Sequence, residues 1–182
     1  METSEIRLAG MGGQGVILAG MILGRAKSII DNKFATMTQD FGPEARGGAA
    51  SCAVILSDDP ILYPNVTNPH TLVAMSQEAF TKYIGVVKPG GMLIVEEDLV
   101  KLSDDIDPSI RVFTIPATRL AEEIGRKIVL NIVMYGFIVS VTGLVSEESA
   151  RKAVEASIPK GTEKLNLAAF EKGYQYGVEQ LK

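Results

Sequence analysis

At 182 residues the chain is long enough to bury one substantial core and short for two. Charged residues make up 22 % and hydrophobic residues 46 %, a globular balance that excludes a disordered chain. A net charge of −4, with no run of Lys or Arg longer than two, excludes a nucleic-acid footprint.

No apolar stretch approaches the ~20 residues that a membrane span needs. The opening Met1-Glu2-Thr3-Ser4-Glu5 is acidic and lacks an apolar signal core, so the expectation is a cytoplasmic protein with no membrane contact. A single cysteine, Cys52, excludes an internal disulfide and a self-contained iron–sulfur or cysteine-rich zinc site. It lies in the apolar run 49–56 and reads as a buried structural thiol.

In chain order, residues 5–9 predict a strand that ends at glycine. Residues 14–31 predict an amphipathic helix, with Leu18, Met21, Ile22, Ala26, Ile29 and Ile30 recurring at three- and four-residue steps. Residues 33–38 predict a second strand, and such a strand–helix–strand unit is expected to give parallel pairing. Residues 39–48 form a loop by composition, and 49–56 and 71–75 are apolar strands. Ser76 is placed to cap a helix over 77–87. A turn at 88–91 precedes strands at 92–96 and 111–115.

From Pro116 onward the pattern is helical, over 116–124, 131–141 and 147–157, the last capped by Ser146. A final helix follows Gly161, with Leu167, Phe170, Tyr174, Val178 and Leu181 as its expected apolar stripe. The alternation predicts an α/β fold. The expectation is one domain over 1–182, with a mostly parallel Rossmann-like sheet, helices on both faces and a helical C-terminal third.

Between the first strand and helix stands Gly10-Met11-Gly12-Gly13-Gln14-Gly15. Glycines at such a corner leave backbone N–H groups bare beside a helix N-terminus, where dipole and donors both favour an anion. Three readings stay open: an anion or phosphate cradle, a bare structural turn, or a nicotinamide or flavin site. The last is weakened because Asp40 comes late for a ribose-binding acid and Gln14 stands where a small or apolar residue is usual.

A second loop carries Gln39, Phe41, Gly42, Pro43, Glu44, Arg46, Gly47 and Gly48. The Arg46 fork suits a phosphate or carboxylate, and a Glu44–Arg46 contact within a surface loop is the alternative. Following a strand, this loop is expected at the same sheet edge as the glycine turn. His70 reads as an incidental surface histidine, and Glu96, Glu97 and Asp98 as a solvated strand end rather than a metal site. No Ser–His–Asp set, HExxH motif or Walker lysine appears, so no catalytic residue and no metal site is assigned to the chain.

With these residues in place, the chain resembles the gamma subunit or gamma domain of 2-oxoacid:ferredoxin oxidoreductases, particularly the 2-oxoglutarate type. The resemblance rests on the segments 10–16 and 38–48, the turn 88–91, and the segments 131–136 and 166–170. It implies one part of an enzyme that decarboxylates a 2-oxoacid oxidatively, forms an acyl-coenzyme A and reduces ferredoxin. It further implies thiamine diphosphate and iron–sulfur clusters in partner subunits, thiamine-binding and ferredoxin-like, and a place for this chain on the coenzyme A side. Carried onto this sequence, Gly10, Gly12, Gly13, Gln14 and Gly15 would hold an anionic part of coenzyme A or line a subunit contact. Arg46 would be the charge partner, and Asn131 a helix-start amide at the same edge. A free-standing nicotinamide or flavin oxidoreductase and a purely architectural subunit are the alternative readings.

Overall fold

The computed structural model describes residues 3–44 and 47–182. Six strands form one sheet: β1 (Thr3–Met11), β2 (Phe34–Phe41), β3 (Ala49–Ser57), β4 (Thr71–Ala74), β5 (Met92–Glu96) and β6 (Arg111–Ile115). The helices are α1 (Val16–Arg25), α2 (Gln77–Tyr83), α3 (Ala117–Glu123), α4 (Leu130–Thr142), α5 (Glu147–Glu155) and α6 (Glu163–Gln180). Strand order is β2-β3-β1-β4-β5-β6, with β1, β4, β5 and β6 mutually parallel.

The expected pairing of β1 with β2 does not occur. β3 lies between them, antiparallel to both. The cause is the short connection after β2: residues 42–48 suffice for a hairpin, whereas a parallel crossover needs a dozen residues or more. β3 therefore folds back beside β2, and β1 takes β3's other edge.

One sheet face is buried under α1, α3, α4, α5 and α6. The other is covered over β4 and β5 by α2, whose Phe80 packs with Leu72, Leu93 and Val95. Ser76 caps α2 as expected, its Oγ accepting from the Ala79 N–H at 3.2 Å, and Ser146 caps α5 by accepting from the Ser149 N–H at 3.1 Å. Among the described residues no helix is long and apolar enough to cross a membrane.

α4 is apolar around its whole circumference and buried almost throughout, between the sheet layer and α6. The α6 face turned toward it matches the predicted stripe only in part, at Phe170 and the partly buried Leu167 and Tyr174. Asn166, Ala169, Phe170, Gly173 and Gly177 are buried, whereas Leu181 is exposed. Small residues mark that face because the two helix backbones touch there. A Cβ at Gly136 would collide with the Phe170 carbonyl oxygen, and one at Gly173 with that of Val133.

Glu96 also differs from expectation. It is fully buried, its two carboxylate oxygens accepting from the Leu99 N–H at 2.9 Å and from the Thr118 N–H at 3.0 Å. It thus satisfies a backbone donor in the first turn of α3. Glu97 and Asp98 stay nearer the surface, where both bind Arg119.

Candidate functional site

The glycine turn leaves the carboxyl end of β1 and starts α1. Gly13 and Gly15 have φ of 95° and 73°, conformations that a side chain disfavours. α1 has no side-chain cap and no acidic residue in its first turn. Among the described residues nothing accepts from the N–H groups of Val16, Ile17 and Leu18. They lie in the helix's first turn rather than in the glycine turn, whose Met11, Gly12 and Gln14 N–H groups are bonded within the protein.

The Gln14 side chain is engaged within the protein. Its Oε1 accepts from the Met11 N–H and its Nε2 donates to the Met75 carbonyl, both at 2.7 Å. The ladder between β1 and β4 ends at Ala9 and Met75. The Gln14 carboxamide stands in for one more peptide group and ties the splaying strands together. Asn131 is likewise a brace: it is buried, its Nδ2 points at the Gly15 carbonyl at 3.5 Å, and a Cβ on Gly15 would lie 2.5 Å from that nitrogen.

The 42–48 loop does meet the glycine turn. The Gly12 N–H donates to the Gly48 carbonyl at 2.7 Å, and a Cβ on Gly12 would sit 3.3 Å from the Gly47 nitrogen. A cavity of about 240 Å³ lies between them, walled by Gly13, the first turn of α1, Phe41 and Glu44. Pro43 lines a neighbouring cavity of about 220 Å³ with Gly10 and Asp40, and Gln39 is exposed on β2. The Glu44 carboxylate lies against Gly42 and Gly48, placing negative charge at the rim. Arg46 and its proposed contact with Glu44 fall outside the described residues.

On the other flank of the turn a larger cavity, about 490 Å³, takes in Met11, Gly13, Gln14, Ser76, Thr118 and Lys127. The Thr118 hydroxyl is buried there, and among the described residues it has no partner. Sequence reasoning missed Lys127. The signal was the shortness of α3, whose seven residues span only about 10 Å, so that the link after it stays near the carboxyl edge.

The remaining candidates are structural. Cys52 is buried with its Sγ 3.7 Å from the Val16 carbonyl, and burial pushes its thiol up to about 12. His70 sits at the opposite end of the sheet, its Nδ1 accepting from the Glu5 N–H at 3.2 Å. A nicotinamide or flavin site needs an acid ending the strand next to β1. Here β1 lies between β3, which runs the other way, and β4, which ends at Ala74 without an acid, and Asp40 lies on β2, beyond β3.

Residues 5–176 match the pyruvate ferredoxin/flavodoxin oxidoreductase family. The 2-oxoglutarate synthase subunit KorC of Methanocaldococcus jannaschii is 52 % identical over 176 residues, covering 96 % of this chain and 94 % of that one. The chain belongs to this oxidoreductase family. The gamma subunit of the keto/oxoacid ferredoxin oxidoreductase from Geobacter sulfurreducens PCA has the same fold, with a TM-score of 0.89, 40 % identity and 98 % coverage of both chains. A 2-oxoglutarate:ferredoxin oxidoreductase from Magnetococcus marinus, solved with 2-oxoglutarate, coenzyme A and succinyl-CoA bound, shares the fold at a TM-score of 0.88 and 22 % identity. That match takes in 98 % of this chain and 32 % of the longer polypeptide. Within the oxidoreductase family this chain is of the gamma type.

Proposed function

We propose that this gamma-type chain serves a 2-oxoglutarate:ferredoxin oxidoreductase and contributes its carboxyl sheet edge to coenzyme A. The reaction consumes 2-oxoglutarate, coenzyme A and two oxidised ferredoxins. It yields succinyl-coenzyme A, carbon dioxide, a proton and two reduced ferredoxins. The 52 % identity to a 2-oxoglutarate synthase subunit supports the choice of oxoacid.

Thiamine diphosphate and iron–sulfur clusters belong to partner subunits in this reading. The chain's one cysteine is buried under α1, and the acidic cluster is engaged structurally, Glu96 with two backbone N–H groups and Glu97 and Asp98 with Arg119. Its own residues bind and orient. They hold no proton in transit.

The observation that carries the coenzyme A role is the cavity between the uncapped start of α1 and the 42–48 loop. Bare N–H groups at a helix N-terminus complement phosphate charge. At about 240 Å³ the space takes a diphosphate-sized portion, since sites enclosing a whole drug-sized ligand run to roughly 300–1,000 Å³. In this reading Arg46 supplies the cation that offsets the Glu44 carboxylate at the rim.

Replacing Arg46 by Ala in the assembled complex tests this. The expected loss is about 1.5–3 kcal/mol in coenzyme A affinity, one charge-assisted contact, with the apparent affinity for 2-oxoglutarate little changed. Unchanged coenzyme A affinity with failed co-purification of the subunits would move Arg46 to a subunit interface.

A further inference from the structure

β2 is an outer strand, and only one of its edges is paired. In an antiparallel ladder alternate residues turn their N–H and C=O toward the partner, and the others turn away. The phase follows from the bond between the Gly42 N–H and the Ala49 carbonyl, 2.7 Å, one step beyond the strand. Counting back in register, Phe34, Thr36, Thr38 and Asp40 bond to β3. Ala35, Met37, Gln39 and Phe41 therefore present their backbone groups outward, and no described group pairs with them.

Outer strands are usually blunted by Lys, Pro or a bulge. β2 reads Phe-Ala-Thr-Met-Thr-Gln-Asp-Phe, without Lys or Pro, and its register with β3 is unbroken over eight residues. Phe34 and Phe41, at its two ends, are 42 % and 62 % exposed. The strand is unbroken, open and flanked by exposed rings.

We propose that β2 pairs antiparallel with β2 of a second copy, about a two-fold axis through Thr38. The case for a second copy is self-complementarity. With Thr38 opposite itself, the outward residues meet as Ala35 with Phe41 and Met37 with Gln39, so every free backbone group finds a partner. Phe41 then lies beside Ala35 and Phe34 beside Gly42, large against small. The lone charge, Asp40, meets the Thr36 hydroxyl rather than another carboxylate, and Thr38 meets Thr38, a favourable cross-strand pair. A shift of two residues either way sets Asp40 against Phe34 or Thr38 and leaves outward groups at one end unmatched. The pairing does not depend on the coenzyme A reading.

The test measures self-association of the full chain by sedimentation at tens of micromolar. The wild-type chain is expected to be a dimer. Thr38→Lys sets two ammonium groups face to face on the axis without touching a ladder bond, and should weaken the dimer at least tenfold with an unchanged circular dichroism spectrum. Thr38→Cys gives an independent reading. Across the axis Thr38 forms a non-hydrogen-bonded pair with Cα atoms about 4.5 Å apart, within reach of a disulfide. Oxidation should cross-link it, whereas Thr36→Cys, facing Asp40, should stay uncross-linked. Cys52 is buried and takes no part. A monomeric wild-type chain, a dimer indifferent to Thr38→Lys, or an uncross-linked Thr38→Cys would each overturn the pairing. So would a Thr38→Lys chain that still self-associates but loses another subunit of the complex, since the edge would then belong to that polypeptide.

Discussion

Glycine serves opposite ends in two parts of this molecule. Along the α4–α6 seam it lets backbones touch: Cβ atoms at Gly136, Gly173 and Gly177 would strike the Phe170 carbonyl, the Val133 carbonyl and the Ser140 hydroxyl. At the β1–α1 turn Gly12 and Gly15 still admit close neighbours, Gly47 and Asn131, but Gly13 stands in open space. A Cβ at Gly13 would meet nothing within 4 Å, and the residue is there for its φ of 95°. The first region is packed throughout and the second opens at Gly13. The same residue type is therefore no guide to role until its neighbours are known.

The contrast is broken most forcefully at Gly173. Helix propensity alone would make Gly173→Ala stabilising by about 1 kcal/mol. The methyl against the Val133 carbonyl reverses the sign, because the helices must part along a seam that is packed throughout. The expected net loss is about 3 kcal/mol, or a melting temperature lower by roughly 6–12 °C for a domain of this size. Calorimetry decides it, and a rise in melting temperature would mean that the seam yields.

Gln14 sits at the join between scaffold and cradle. Gln14→Ala leaves the Met11 N–H and the Met75 carbonyl without their partner. Unmade bonds of this kind cost about 1–3 kcal/mol, and the partial exposure of the turn argues for about 2 kcal/mol in all. Gln14→Glu separates the two halves, since a carboxylate still accepts from Met11 but cannot donate to Met75. Its melting temperature should fall between those of wild type and Gln14→Ala, and coincidence with wild type would remove the tie to β4 from the account.

Much of this was legible in the sequence. Strand and helix periodicities, two serine caps, the single domain and the meeting of the 42–48 loop with the glycine turn all follow from local chemistry. What escaped was set by distance in space. β3 entered between β1 and β2 because a short loop forced a hairpin. On α6 Phe170 was legible, but Ala169, Gly173 and Gly177 were hidden because small residues carry no hydrophobic signal, however tightly they pack. Glu96 looked solvated beside two other acids, yet its oxygens serve two backbone N–H groups that no pattern reveals. Gln14 and Asn131 were assigned to the right edge and turned out to brace it.

Gly13→Ala sharpens the comparison with the smallest change. No atom opposes the added methyl, so the cost is conformational only, about 1 kcal/mol, and the melting temperature should drop by roughly 2–4 °C. Gly13→Asn should recover part of this, because asparagine enters positive φ more readily than alanine. The two variants also separate shape from space. If Gly13 serves the cradle through its backbone conformation, coenzyme A affinity in the assembled complex should fall for Ala and partly return for Asn. If instead a partner subunit or ligand presses against its Cα, both should lose affinity, and Asn, the larger, should lose more. A stability cost equal to that of Gly173→Ala would contradict the open geometry around Gly13, and with it the distinction between cradle and seam.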